Sequence, residues 1–467
     1  MRTRYLALAL TALAVGACSL PNDPNLNGPS VTDYSNITTM SQLQTLVTGV
    51  LSNDRLPAEE QILEAEVIGR DAFVLTGSEF RYESELLGPS IDPSGFLGVR
   101  VWPFGTIRLT NIGLRGVNSS ALLNAQDKAA TLGYLQTMKA LLFIRIVETR
   151  DTAGAPIDVD IDPTLPPAPL HCRHDVEAYI AALLDSAATN LAAGGTTFPF
   201  VLPPTFAGFD TPAGFLKFNR GLAAKANVYL AFRGYAGTAA IDATALAAAQ
   251  AALNASFRDS TQSVELGPSH DYSTNTGDQT NSLFDTDTSA TTYVANPRVR
   301  NEAEAGDARV ARKTALSSVR SVEGETSNIV FTLYLIPTAP TLILSNKELL
   351  LLQAEVDWGL GNYAGALTWA HVVRVHDGGP GLAADTTTAA APGVLNEILY
   401  EKRYSLVWQS GDRWVDARLF GKLNGSNPPV GIGTELTYGP LNNMPIPQNE
   451  VNARGGNLTK TCTLGAP

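Results

Sequence analysis

Asn396–Leu419 reads NEILYEKRYSLVWQSGDRWVDARL, and this stretch decides the fold. Leu395, Ile398, Leu399, Leu406 and Val407 recur at intervals of three, four and seven residues, the period of a helix with one buried face. Gly411 tolerates the left-handed conformation found just past a helix C-terminus, so it marks the expected stop. Charge lies directly beside the apolar face: Glu401, Lys402 and Arg403, then Asp412-Arg413-Trp414, Asp416 and Arg418. Arg and Asp alternating around a Trp suit a buried turn, where guanidinium and carboxylate satisfy each other and an aromatic ring covers the plane. Arg413 is therefore expected to be structural, held by Asp412, Asp416 or Glu401.

Helical periodicity recurs along the chain. Ser41–Leu51 carries Leu43, Leu46, Val47 and Val50; Asp127–Thr149 carries Tyr134, Leu135, Met138, Leu141, Leu142 and Ile146. Asp175–Leu191 opens on a candidate acidic cap, and Pro212–Arg233 follows the candidate cap Thr211. Ala243–Phe257 is mostly alanine, and Leu349–Gly359 with Tyr363–Val375 forms a hairpin joined through Gly361-Asn362. In that hairpin Ala354, Gly361-Asn362-Tyr363 and Ala366-Leu367 have the small and large spacing of a tetratricopeptide-like unit, though no strict repeat of about thirty-four residues runs through the chain. The expected class is mainly all-α, antiparallel helix pairs with long loops and a few short strands. Irregular stretches separate the helices at Thr76–Gly98, Arg150–Leu170, Gly194–Phe209 and Phe257–Val330, and loops of that length are commonly functional. Alternation in Asn328–Leu335 predicts one or two short strands.

The order of residues in Asn396–Leu419 resembles the C-terminal signature of the SusD/RagB family of outer-membrane nutrient-binding lipoproteins, with Gln409-Ser410 in place of the usual Glu before the glycine. Three further segments carry the resemblance: Asn443–Glu450 (NMPIPQNE), Glu348–Gly379, and Val101–Ile107 with Asn111. The middle, Thr196–Val330, carries none. The resemblance implies a SusD-like scaffold of degenerate tetratricopeptide-like pairs. It further implies a binding protein rather than an enzyme, which captures a glycan or peptide for a SusC-like TonB-dependent transporter.

The N-terminus implies export. Arg2 and Arg4 precede the apolar run Tyr5–Ala17, which is too short to cross a bilayer, and Val15-Gly16-Ala17-Cys18 reads as a lipoprotein cleavage site. Residues 1–17 are then a signal peptide, Cys18 is lipidated, 18–35 is a tether rich in Pro, Asn and Asp, and 36–467 is the binding body with an insertion at about 258–330. Ser19, rather than the Asp that favours inner-membrane retention, points to the outer membrane. No later apolar run is expected to span a membrane. Net charge is −12 with scattered Lys and Arg, so no basic stripe exists to contact nucleic acid. Cys172 and Cys462 remain, and whether they pair is left open by the sequence.

Catalytic and metal motifs are absent: no G-x-S-x-G, H-E-x-x-H, Walker or dinucleotide fingerprint occurs. His171-Cys172-Arg173-His174 lacks a second pair at zinc spacing, and Asp158-x-Asp160-x-Asp162 lacks the Gly and Glu of a calcium loop. His371 and His376 lie five apart on different helix faces and read as structural. No cofactor or metal is expected. Aromatics in loops make the better functional case, because sugar C–H faces stack on rings while Asn and Arg bind hydroxyl groups. Trp102, Arg81, Tyr82, Asn111 and Tyr293 are the candidate ligand-binding residues, with Phe284 and Arg298 behind them. The competing classes are a tetratricopeptide-like structural or protein-interaction lipoprotein and a lipid-anchored hydrolase.

Overall fold

The computed structural model describes residues 35–162, 164–232, 241–285, 292–423 and 431–464. The signal segment, Cys18 and the tether lie outside the described residues.

The chain opens with α1 (Met40–Ser52), started by a reciprocal capping box between Thr39 and Gln42. Next come α2 (Arg55–Ile68), β1 (Ala72–Val74), and two single turns, α3 (Arg81–Ser84) and α4 (Phe96–Val99). The helical frame follows: α5 (Phe104–Ser119), α6 (Ala125–Arg150), α7 (Arg173–Ala192), α8 (Pro212–Ala231) and α9 (Ala243–Ala255). Each of these packs on its sequence neighbour, although long connections join α6 to α7 and α7 to α8. Thr211 caps α8 by accepting from Gly214 N, as expected. Asp175 does not cap α7; its carboxylate accepts instead from Thr463 N at 2.7 Å and Leu464 N at 3.1 Å, holding the C-terminal tail. α6 is long and apolar enough to cross a membrane by length and composition, contrary to expectation, yet 89% of its apolar window is buried among other helices.

The Phe257–Val330 stretch is more regular than expected. It contributes β4 (Ser269–His270), β5 (Tyr293–Ala295), α10 (Arg298–Asn301), α11 (Ala308–Lys313) and a hairpin of β6 (Thr314–Val322) and β7 (Glu325–Phe331). The hairpin turns at Glu323-Gly324, both at positive φ, the geometry of a two-residue turn that suits strand twist. With β1, the strands β5, β7 and β6 form an antiparallel sheet in the order β1-β5-β7-β6, while β4 pairs separately with β8 (Thr341–Leu342). The C-terminal part holds α12 (Asn346–Gly359), α13 (Tyr363–Gly378), α14 (Ala391–Leu406), α15 (Asp412–Leu419) and α16 (Gln448–Ala453).

Among the described residues two large apolar clusters result, with a small third one of Leu350, Leu351 and Val373. One joins α1 and α5–α9 to α12 and α14 around Tyr134, Phe143, Phe215 and Phe218. The other joins α2 and the sheet to Trp408 and Trp414. Trp408 stacks on Phe331 with centroids 4.3 Å apart. The signature segment is built differently from its sequence reading. α14 stops at Leu406, Trp408 adopts φ +61, and Gly411 (φ +73) begins the next helix rather than ending the first. A side chain at Gly411 would meet Ala65 Cβ at 2.6 Å, so both backbone and space require glycine.

The charges around the tryptophans are buried and paired, but with distant partners. Arg413 meets Asp71 at 2.5 Å and Glu302 at 3.9 Å rather than Asp412, Asp416 or Glu401. Asp412 is held by Lys225 at 3.3 Å, Asp416 by Lys402 at 2.7 Å, and Glu401 by Arg309 and Arg374. Arg403 shares Asp71 with Arg413, so two guanidinium groups converge on one carboxylate; burial and the charge of Arg403 hold Arg413 down at about 10.

Cys172 and Cys462 form a disulfide with Cα atoms 5.1 Å apart. Parallel pairing of β3 (Leu170–His171), which also pairs with β2 (Ala155–Pro156), with β9 (Lys460–Thr461) brings them together. The bond consumes the thiol of the His171–His174 quartet, so that quartet has no thiolate to offer a metal.

Candidate functional site

The Thr76–Gly98 stretch and the start of α5 carry most of the expected ligand-binding residues. The two turns α3 and α4 place Tyr82 edge-on to Phe96, centroids 5.4 Å apart. Two guanidinium groups lie over the Phe96 ring, Arg81 at 4.5 Å and Arg100 at 4.8 Å. Arg81 is fixed by a double hydrogen bond to Glu79, at 2.7 and 2.5 Å, and its side chain remains 40% exposed. Arg100 is set deeper, pairing with Glu60 at 3.1 Å and Glu64 at 3.4 Å and donating to the Tyr82 hydroxyl at 3.4 Å. Phe80 stands 59% exposed beside them.

Tyr293 comes to the same region from β5. Its ring lies 5.8 Å from Trp408, and it packs on the same apolar cluster as Tyr82 and Phe96. Burial, then the neighbouring Tyr82, pushes its phenol up to about 12, so it stays a neutral hydroxyl donor. Glu64 lies beneath Arg100, fully buried. Its desolvation outweighs the attraction of Arg100 and pushes the carboxyl up to about 8.

The structure thus brings Arg81, Tyr82 and Tyr293 into one neighbourhood and separates the other two candidates. Val101 at φ +50 turns the chain, and Trp102 packs half-buried on Phe104 at 4.7 Å with Arg150 at 5.5 Å from its ring. Asn111 is a correction: only 3% exposed inside α5, it presents no surface to a ligand. The helical period turns it inward with Ile107 and Ile112. Of the second-line residues, Arg298 is tied to Glu435 at 3.3 Å and Phe284 is half-buried. Phe96 and Arg100 were missed in the sequence. A signal existed: an aromatic and an arginine four apart after Gly95, the spacing of one helical turn.

Chemically the neighbourhood is a set of ring faces bordered by fixed guanidinium, carboxylate and hydroxyl groups, a combination suited to a ligand with apolar faces and hydroxyl edges. A separate cleft of about 350 Å³ lies between α1 and residues 201–204, lined by Gln44, Thr48, Val201 and Pro203. There Arg55 is gripped by Asp271 at 3.2 Å and Asp278 at 2.5 Å.

No family model matches the sequence, and no curated protein matches it. Solved structures do. A SusD superfamily protein from Parabacteroides distasonis superposes with a TM-score of 0.66 at 13% identity, covering 90% of this chain and 98% of that one. Surface glycan-binding protein A from Bacteroides uniformis gives 0.65 at 14% identity, covering 90% and 99%. A SusD-like carbohydrate binding protein from Bacteroides vulgatus gives 0.60 at 14% identity, covering 83% and 84%. The chain therefore has the SusD-like fold, a helical frame of tetratricopeptide-like pairs.

Proposed function

We propose that this protein is a surface lipoprotein of the outer membrane that binds an oligosaccharide and hands it to a SusC-like TonB-dependent transporter. It binds its ligand and carries out no reaction on it. Residues 1–17 direct export, Cys18 carries the lipid, 18–35 is the tether and 36–467 the binding body. The observation that carries the reading is the Tyr82–Phe96–Arg81–Arg100 cluster in a SusD-like fold, a fold shared with proteins named as glycan-binding and carbohydrate-binding. Rings there offer stacking, and arginines held by Glu79 and Glu60 offer hydrogen bonds already oriented before a ligand arrives. A peptide ligand, or a role holding protein partners, would leave this cluster without a sugar to stack.

Calorimetry of the purified protein against a panel of oligosaccharides and peptides tests the proposal. An oligosaccharide should bind saturably, and Tyr82→Ala should weaken it several-fold, since one stacking ring contributes on the order of 1 kcal/mol. Binding of peptides alone, or sugar binding indifferent to Tyr82→Ala and lost in a cleft variant such as Gln44→Ala, overturns it.

A further inference from the structure

Residues 379–390 return the chain from α13 to α14. His371 on α13, Asp385 in the return and Glu397 on α14 each bring one ligand atom to a common point, all within 4.8 Å of one another. His371 Nε2 lies 2.7 Å from Asp385 Oδ2, and the imidazole is 38% exposed, which leaves one side open to water. Thr387 N donates to Asp385 Oδ1 at 2.9 Å and orients that carboxylate. Glu397 is buried behind them and accepts from Arg374 at 3.2 Å.

Carboxylates outnumber guanidinium groups around the site. Arg374 pairs with Glu304, Glu397 and Glu401, and Arg309 pairs with Asp307 and Glu401. With Asp385 that makes five carboxylates beside two guanidinium groups, with the His371 imidazole at the site and Lys313 and Lys347 facing the neighbouring Asp377. The neighbouring Arg312–Asp377 pair is neutral as a unit. One imidazole nitrogen and two carboxylate oxygens, with open positions, form the donor set of a first-row divalent cation. Calcium prefers six to eight oxygens and would not seek the imidazole. Ligands about 2.1 Å from zinc stand roughly 3.4 Å apart, so small side-chain rotations would open the His371–Asp385 contact and draw in the widest pair.

We infer that His371, Asp385 and Glu397 form a binding site for a divalent transition-metal cation that pins residues 379–390 across α13 and α14. In the sequence His371 is a structural residue because His376 lies on another face; its partners come instead from 14 residues downstream and from the next helix.

Zinc is the probe. Chelator-treated purified protein, titrated with zinc chloride by calorimetry and melted with and without it, should show one saturable site and a higher melting temperature. His371→Ala and Asp385→Asn should each weaken zinc at least about tenfold, while His376→Ala should not. The metal-free melts of the variants show that each is folded, and Asp385→Asn, which leaves the Glu397–Arg374 pair intact, keeps the test valid if His371→Ala does not fold. No saturable zinc binding, or an affinity unchanged in both His371→Ala and Asp385→Asn, overturns the inference. Neither result depends on whether the protein binds a glycan.

Discussion

Arg413 shows how much one residue of the signature holds. Its guanidinium donates to Gly69 O at 3.0 Å and Gly431 O at 3.1 Å as well as to Asp71, tying α15 to the end of α2 and to the segment after it. Removing it leaves Asp71 facing Arg403 alone and strips two carbonyls of their donor, and breaking a buried pair costs about 3–5 kcal/mol. Arg413→Ala is therefore expected to lower the melting temperature strongly. A melt settles this, and a variant that melts like wild type but fails to bind ligand would make Arg413 a binding residue instead. That Arg413 is buried and paired was legible in its sequence neighbours, Trp414 and two aspartates. Its partner was not, because Asp71 lies 342 residues earlier.

At the scale of an element, α2 is the case where periodicity failed. Its inward positions include Glu59, Gln61, Glu64 and Glu66, so nearly every face is buried and no apolar stripe marks it as a helix. Those carboxyls give α2 a pH dependence. Glu64 has a folded pKa near 8, above the ordinary value of 4.5, so the folded state binds more protons than the unfolded chain between those limits. Its contribution is intact below about pH 4.5 and is lost as pH rises through 8, because the charged form suffers desolvation only when folded. Glu64→Gln carries no such charge. Its stability relative to wild type should rise by on the order of 1 kcal/mol or more between pH 5 and 8.5. Parallel melts across that range measure this; a difference that stays flat with pH would mean Arg100 keeps Glu64 ionised.

At the scale of the whole molecule, the C-terminal tail is fastened to the start of α7. The Cys172–Cys462 disulfide closes a loop with a sequence separation of 290, and Asp175 adds hydrogen bonds to the tail beyond it. Cross-links over long loops restrict the unfolded chain most, and losing a native one typically costs about 2–5 kcal/mol. Cys172→Ser with Cys462→Ser should lower the denaturant midpoint by a matching amount while leaving far-ultraviolet circular dichroism unchanged. An unchanged midpoint would show that β3–β9 pairing and Asp175 hold the tail unaided.

Sequence alone determined the helical class and most helix positions, because a 3.6-residue apolar period is a local property written in neighbouring residues. It also determined that the charges around Trp414 belong inside, since such a density of paired signs beside apolar residues has few other uses. Tertiary structure alone decided which charge meets which: Asp71 for Arg413, Glu355 and Asp416 for Lys402. It likewise turned Asn111 inward, brought Arg81 and Arg100 over the Phe96 ring, and joined Cys172 to Cys462. Those outcomes depend on how distant segments meet, and Coulomb attraction, ring contact and burial act over ångströms of space rather than positions in the chain.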